Sequence, residues 1–265
     1  MMSSASFAAE PAHLPLTILS EEEELFRAAV AELAQSEVAP RVRAMEEAGK
    51  VDPALTAKFF ELGLMGIELP EPYGGAGGSL MMVTLAVEEL SKVDASAAIQ
   101  VDVQNTLVNY PLHRYGNEEQ RARILPRMTA NTIGAYALSE PGSGSDAFGL
   151  ATRAEKAAGG WVLNGSKAWI TNGGEASVFV VFANTRPDMG YKGITAFIVE
   201  KGTPGFSVGK KEDKLGIRAS STTSLHFDNV VVSDANVLGD VGAGYKIAIE
   251  TLNDCLLYTS PSPRD

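Results

Sequence analysis

The sequence contains very little cysteine and histidine. Its single cysteine, Cys255, cannot form a disulfide within the chain. The three histidines, His13, His113 and His226, show no spacing typical of a metal site, and ordinary surface or interior positions are favoured for each. We therefore expect neither a disulfide framework nor a bound metal.

Positive charge and long hydrophobic runs are also scarce. The 265 residues include 22 Lys and Arg against 33 Asp and Glu, which gives a net charge of −11. No basic cluster suggests a phosphate-backbone contact, so we expect no nucleic-acid partner. Apolar patches such as 178–183 are far shorter than the roughly 18 to 20 residues of a transmembrane helix, so we expect no membrane span.

The remaining composition, 45% hydrophobic and 21% charged, is that of a globular protein with a sizeable core. Residues 1–18 contain no Lys or Arg and include Glu10, which fits neither a secretory signal nor an Arg-rich transit peptide. We interpret residues 1–18 as a disordered leader.

Residues 19–130 show the pattern of helices. A capping box, Ser20 with Glu23, begins a first helix, in which apolar residues recur at i, i+4 and i+7 from Phe26. Further amphipathic runs follow with capping residues before them. We predict an all-helical N-terminal domain over residues 19–130.

The periodicity changes to that of strands after the helical region. Runs such as SVFVVFA and GITAFIVE are separated by turn residues, which predicts an antiparallel β domain, a small barrel or sandwich, over residues 131–240. The dipeptide Asn164-Gly165 suits a type I′ turn, so we expect a β-hairpin there.

A helical pattern returns in GAGYKIAIETLND, and residues 241–254 are predicted to be the first part of a C-terminal helical bundle. The fold class is therefore α+β and multidomain. This order lacks the strand and helix alternation of a Rossmann fold, so a nucleotide has to be held in another way.

Residues 255–265, CLLYTSPSPRD, show no sequence pattern typical of a helix or a strand. With suitable codons they can be back-translated to a DNA sequence that resembles the transposase end and adapter of tagmentation libraries, and we interpret them as an adapter-derived, non-native tail. A natural divergent C-terminus is the alternative. We expect the natural chain to continue after Asp254 for about 100 to 150 residues, the size of one more helical domain.

Two segments carry groups that suit a nucleotide. In YALSEPGSGSD, residues 136–146, small residues let backbone N–H groups approach a pyrophosphate, and serine hydroxyls add hydrogen bonds. In SKAWITNGG, Trp169 and Thr171 lie two residues apart and face the same side of a predicted strand, where they suit a planar ring. Each segment alone is more typical of an ordinary turn or core strand, and only the pair indicates a ligand.

Four segments in this order, YALSEPGSGSD, WVLNGSKAWITNGG, KLGIRASST and GAGYKIAIETLND, resemble the acyl-CoA dehydrogenases, most closely the short/branched-chain (2-methylbutyryl-type) group. The resemblance covers roughly residues 15–254. It implies a homotetrameric flavoprotein that holds FAD between its domains, oxidises short or branched-chain acyl-CoA, and passes electrons to an electron-transfer flavoprotein. It also implies the cytoplasm of a bacterium or the mitochondrial matrix of a eukaryote.

The resemblance further assigns residues to the two ligands. The implied flavin-binding residues are Tyr136, Ala137, Leu138, Ser139, Glu140, Pro141, Gly142, Ser143, Gly144, Ser145, Trp169, Ile170 and Thr171. Of these, Leu138, Ser139 and Thr171 are expected to form hydrogen bonds with the flavin ring. The implied substrate-binding residues are Ser145, Tyr191, Tyr245, Asn253 and Asp254. Several relatives carry Asp where this chain has Asn253.

The acyl pocket is expected from the segment VDVQNTLVN. Its apolar residues Val101, Val103 and Leu107 would equally suit a buried helix face. The resemblance therefore leaves the lining of this pocket open.

Removing the α-proton of a thioester requires a positioned carboxylate base. The resemblance implies a glutamate of the C-terminal bundle, and no catalytic residue is assigned in this chain. Glu140 and Asp146 are expected to have capping or turn roles. The alternative function is a non-catalytic module that binds nucleotide or acyl-CoA, or a structural domain.

Overall fold

The computed structural model describes residues 18–257, with side chains to Asn253. The predicted leader lies outside the described residues except for Ile18, as does the predicted tail from Tyr258 onward. Within the described part, no helix combines the length and hydrophobicity that a bilayer crossing demands. The α-helices before the strands are α1 (Glu21–Leu33), α2 (Val42–Ala48), α3 (Pro53–Glu61), α4 (Leu80–Ser91), α5 (Ala95–Asp102), α6 (Tyr110–Tyr115) and α7 (Glu118–Ala130).

The predicted N-terminal helices are confirmed, and local capping explains where they begin. At α1 the Ser20 hydroxyl accepts from the Glu23 N–H, while the Glu23 carboxylate accepts from the Ser20 N–H at 2.8 Å. Asn117 and Gln120 form the same arrangement at α7. Each box satisfies two N–H groups that the first helical turn leaves unpaired.

The strands form one mixed sheet, and a final helix follows them. The strands are β1 (Gly134–Ala137), β2 (Arg153–Ala157), β3 (Gly160–Thr171), β4 (Val178–Asn184), β5 (Ile194–Glu200), β6 (Phe206–Lys211), β7 (Thr222–Ser233) and β8 (Val237–Leu238), and the helix is α8 (Gly244–Leu257). The sheet order is β6-β7-β3-β2-β4-β5-β8, and β1 pairs with β4. Most ladders are antiparallel as predicted, but β4 pairs in parallel with β1 and, at one position, with β2.

The prediction of a hairpin at Asn164-Gly165 is wrong. The chain runs straight through both residues within β3, and the turn lies earlier, at Ala158 and Gly159, where Gly159 has φ 75°. Gly165 instead occupies a bulge against β7, where an added Cβ would lie 2.6 to 2.9 Å from Thr152. Close backbone approach and a φ of 146°, and not a reversal of direction, require glycine there.

Apolar side chains cover both faces of the central strands. In β4 the side chains of Phe179 and Val181 pack in one core with the first helices, while Val180 and Phe182 pack in a second core with α6, α7 and α8. Burial on both faces explains why SVFVVFA has no polar alternation. The candidate site lies at the second core.

The helices and the sheet are joined by a buried amide. A π-helical segment, residues 103–109, follows α5, and its Gln104 is 0% exposed. The Gln104 amide donates to the carbonyls of Met128 and Thr132, each at 2.9 Å, and accepts from the Gly134 N–H at 2.9 Å. One side chain therefore ties the π-helical segment to the end of α7 and the start of β1.

Candidate functional site

A cleft of about 300 Å³ lies where the sheet, the π-helical segment and α8 meet. Strands β1 and β3 and the loop after β1 supply one part of its wall, and helical residues supply the other. Its lining residues are Val103, Leu107, Tyr136, Leu138, Ser139, Gly144, Ala147, Trp169, Ile170, Thr171 and Leu252. The two segments that the sequence singled out for a nucleotide therefore face one cavity.

Alternation along β1 decides which of its residues reach the cleft. Ala135 and Ala137 point into the first core, whereas Tyr136 and Leu138 belong to the second core and line the cleft. Ser139 follows as a half-buried residue of the wall. The predicted flavin residue Ala137 is fully buried and is absent from the lining.

A bulge in β3 presents Trp169 to the cleft. The register against β7 shifts between Lys167 and Ile170, and Trp169 adopts φ 61° with 62% of its surface exposed. A bulge re-aims side chains, so Trp169, Ile170 and Thr171 all line the cavity although Ile170 is otherwise buried. The left-handed conformation is a costly one for a tryptophan.

The π-helical segment forms the opposite wall with Val103 and Leu107. Val101 instead lies in the first core, fully buried, so it serves as a helix packing residue. The buried amides of Asn105 and Asn109 hold this segment through hydrogen bonds to the backbone of residues 64–67. π-Helical turns recur at functional sites because they displace side chains from the regular helical positions.

The loop after β1 begins with a tight turn between Glu140 and Ser143, whose backbones exchange two hydrogen bonds of 3.1 Å. Ser143 is buried, and its hydroxyl donates to the Asp146 carbonyl. Gly142 and Gly144 have neither a positive φ nor any atom within 4 Å of an added Cβ. Because no protein contact requires glycine at these two positions, the open space beside them is available to a ligand.

Several predicted flavin residues stand apart from the cleft wall. Pro141, Gly142 and Ser145 are exposed outside its lining, while Glu140 and Ser143 are buried beneath it. The assignment of these residues to the cofactor stays a prediction.

A buried ion pair lies beneath the cleft, and sequence reasoning missed half of it. The ammonium of Lys167 lies 2.8 Å from a carboxylate oxygen of Glu140, and their side chains are 0% and 3% exposed. Glu140 was expected to have a capping or turn role and was placed among the implied flavin-binding residues, and Lys167 was given no role. The sequence signal is weak, because a lysine within a strand ordinarily indicates a solvent-facing position.

Burial lowers the pKa of Lys167 to about 8, although the charge and hydrogen bond of Glu140 oppose this change. Burial alone would raise the pKa of Glu140, but the charge and hydrogen bond of Lys167 and the donors Thr152 and Ala151 lower it. Near neutral pH the pair is therefore ionised on both sides.

This shift predicts a pH dependence of stability. In the unfolded chain Lys167 titrates near 10.5, so between about pH 8 and 10.5 the unfolded chain binds a proton that the folded chain lacks, and stability rises with pH. Relative to Glu140→Gln/Lys167→Met, which lacks both groups, we expect the free energy of unfolding to increase from about pH 7 to about pH 9.5. Denaturant titrations at both pH values measure it, and a decrease would contradict the shift.

The predicted substrate residues Tyr191 and Tyr245 come together although far apart in sequence. Their ring centroids are 4.5 Å apart, and Tyr245 also contacts Phe148 at 4.5 Å. Phe148 lies just after the predicted nucleotide loop and was not singled out from the sequence. Asn253 is exposed on α8, next to the cleft residue Leu252, while the side chain of Asp254 lies outside the described residues.

Among the described side chains, no acid lines the cleft, and no cluster of three His, Cys, Asp or Glu residues could hold a metal ion. The described part of the cavity thus provides hydroxyls, the aromatic side chains of Tyr136 and Trp169, and apolar surface. These groups suit the binding and orientation of a ligand but include no carboxylate that could take a proton.

Comparison with protein-family profiles matches both halves of the chain. Residues 20–132 match the acyl-CoA dehydrogenase N-terminal domain, and residues 135–230 match the acyl-CoA dehydrogenase middle domain. The Dictyostelium discoideum protein named "Probable short/branched chain specific acyl-CoA dehydrogenase" is 53% identical over 241 residues, 91% of this chain and 58% of that protein. The mitochondrial short/branched chain specific acyl-CoA dehydrogenase of Rattus norvegicus is 46% identical over 240 residues, 91% of this chain and 56% of the relative.

Solved structures give the same result. Butyryl-CoA dehydrogenase from Megasphaera elsdenii superposes with a TM-score of 0.87 at 40% identity, covering 91% of this chain and 64% of its own. The acyl-CoA dehydrogenase of Bacillus anthracis complexed with FAD gives a TM-score of 0.83 at 36% identity, and the match covers 91% of this chain and 41% of that structure's chain. This chain spans little more than half the length of the curated relatives it matches. It belongs to the acyl-CoA dehydrogenase family, whose N-terminal and middle domains it contains.

Proposed function

We propose that the protein is a short or branched-chain acyl-CoA dehydrogenase that holds FAD in the cleft between β1, β3 and the π-helical segment. The observation that carries the proposal is the convergence of Ser139, Thr171 and the exposed face of Trp169 on one cavity. Hydroxyls beside an aromatic plane suit a flat heteroaromatic ring with polar edges.

The chemistry of the lining fits this cofactor. Val103 and Leu107 supply apolar surface opposite the polar wall, and Gly142 and Gly144 leave space for backbone N–H groups to approach phosphate oxygens. When bound, FAD supplies the hydride acceptor for formation of an α,β-unsaturated acyl thioester. The relative from Bacillus anthracis, described as a complex with FAD, supports this cofactor.

The aromatic residues Tyr191, Tyr245 and Phe148 are proposed to border the entry of the acyl-CoA substrate. Their contacts bring the loop after β1, the segment before β5 and α8 together. Apolar surface from Leu107 and Leu252 would exclude water from the acyl chain in the cleft. Ser145, Asn253 and Asp254 remain proposed substrate contacts on the basis of the resemblance.

The base that takes the α-proton is proposed to be a glutamate outside the described residues, since none of the described acids lines the cleft. We also propose that the active protein is a homotetramer, that it passes electrons to an electron-transfer flavoprotein, and that it works in the bacterial cytoplasm or the mitochondrial matrix. The names of the similar proteins from rat and Dictyostelium support the short/branched-chain assignment.

The test uses protein expressed from the natural gene that encodes residues 18–254. 2-Methylbutyryl-, isobutyryl-, isovaleryl- and butyryl-CoA are each added with an artificial electron acceptor, and flavin bleaching and acceptor reduction are followed. We expect reduction by at least one of these thioesters. A flavin-containing protein that none of them reduces would end the assignment of substrate class.

A non-catalytic nucleotide-binding module is the second candidate, favoured by the absence of an acid among the described cleft residues. A natural-length protein that is colourless, monomeric and inactive would support it. Bound yellow flavin with turnover would exclude it.

A further inference from the structure

The contacts of the buried ion pair extend to both ends of the loop that borders the cleft. Besides Glu140, the Lys167 ammonium donates to the Leu138 carbonyl at 3.0 Å. The Glu140 carboxylate accepts from the Ala151 N–H at 2.6 Å and the Thr152 N–H at 3.1 Å. Two side chains thus fasten the start and the end of residues 138–152 to β3.

This fastening lies directly behind the two walls of the cleft. Leu138 and Ser139 form one wall, and the Ala168 N–H donates to the Ser139 carbonyl at 2.9 Å. Lys167 and Ala168 immediately precede Trp169, which has a left-handed backbone and a largely exposed side chain. Little packing holds that tryptophan, so its position depends on the backbone anchored before it.

Stability alone gives no reason for a buried ion pair at this place. Well-packed apolar residues of similar volume are often as stable as such a pair or more so, because desolvation offsets the attraction of the charges. What an apolar pair would not provide is a donor for the Leu138 carbonyl and a fixed acceptor for the N–H groups of Ala151 and Thr152. The ion pair therefore fixes the positions of these backbone groups.

We propose that the Lys167–Glu140 pair is a positioning device that sets the Leu138–Ser139 wall against the Trp169 wall at the spacing a bound flavin ring requires. The inference rests on the proposed function, in which this cleft holds FAD. Neither side chain lines the cleft, so both act through the backbone of their neighbours.

The test compares three forms of the protein from the natural gene: unchanged, Glu140→Gln/Lys167→Met, and Lys156→Met. The double variant removes both charges but keeps an amide oxygen to accept from Ala151 and Thr152. The matched control removes a lysine whose partner is Asp234, in a half-exposed pair. FAD titration of the flavin-free proteins, followed by flavin fluorescence, should show affinity about tenfold weaker for the double variant only.

A second readout does not depend on the cofactor. In flavin-free protein we expect the amide hydrogens of Ala168 and Thr152 to exchange faster in Glu140→Gln/Lys167→Met than in Lys156→Met, by more than the difference in their free energies of unfolding explains. A general loss of stability would instead speed exchange throughout the sheet, including at Val180 in β4.

The outcomes separate the inference from the proposed function. If the unchanged protein binds FAD and the double variant binds it equally well, the positioning role is overturned while the flavoprotein assignment stands. If the unchanged protein binds no FAD, the proposed function is wrong, and so is the inference that the ion pair sets the wall spacing for a flavin ring. Unchanged exchange at Ala168 would overturn the fastening itself.

Discussion

Replacing Lys167 with methionine is expected to lower the free energy of unfolding by about 3 to 5 kcal/mol. The substitution keeps most of the side-chain volume but leaves the Glu140 carboxylate buried without its cation. It also removes the donor to the Leu138 carbonyl. Denaturant unfolding at neutral pH, followed by far-UV circular dichroism, measures the loss.

Two variants show whether this loss comes from the unpaired charge. Glu140→Gln/Lys167→Met should regain at least half of it, because no buried charge remains. Lys156→Met, in the half-exposed pair with Asp234, should cost less than about 1 kcal/mol. Equal losses in the single and double variants would contradict the explanation. Should Lys167→Met fail to fold, the double variant against the unchanged protein still measures the pair.

Gln104→Met should destabilise the protein by about 3 kcal/mol or more. Methionine has a similar length and flexibility, so packing changes little. The change leaves the carbonyls of Met128 and Thr132 and the Gly134 N–H without the amide that satisfies them. Each buried backbone group that loses its partner carries a desolvation penalty of about 1 to 3 kcal/mol. Thermal and denaturant unfolding provide the measurement.

The matched control is Gln100→Met on α5. Gln100 is similarly buried, at 2% exposed, but its side-chain oxygen accepts one hydrogen bond of 3.0 Å from the Thr56 hydroxyl and binds no backbone group among the described residues. We expect a loss of about 1 kcal/mol, since the hydroxyl is only partly buried. Equal losses of stability for both substitutions would contradict the prediction that the three backbone hydrogen bonds of Gln104 contribute more than the one hydrogen bond of Gln100.

The sequence by itself determined the helical half, the strand-rich half and the family. Capping boxes at α1 and α7 are local, because a residue and its partner lie three positions apart and bond within one turn. The hydrophobic run of β4 also predicts a strand without tertiary information. Motifs such as YALSEPGSGSD and SKAWITNGG, singled out for their small, hydroxyl and aromatic residues, predicted which segments line the cleft.

Register and partners between distant segments were decided only by the tertiary structure. Asn164-Gly165 has the composition of a hairpin turn, yet close approach to Thr152 makes it a bulge within β3. In the same way, Lys167 becomes a buried cation only because Glu140, 27 residues earlier, folds against it. Local composition limits the conformations a segment can adopt, but burial and charge pairing depend on long-range contacts that no short stretch of sequence contains.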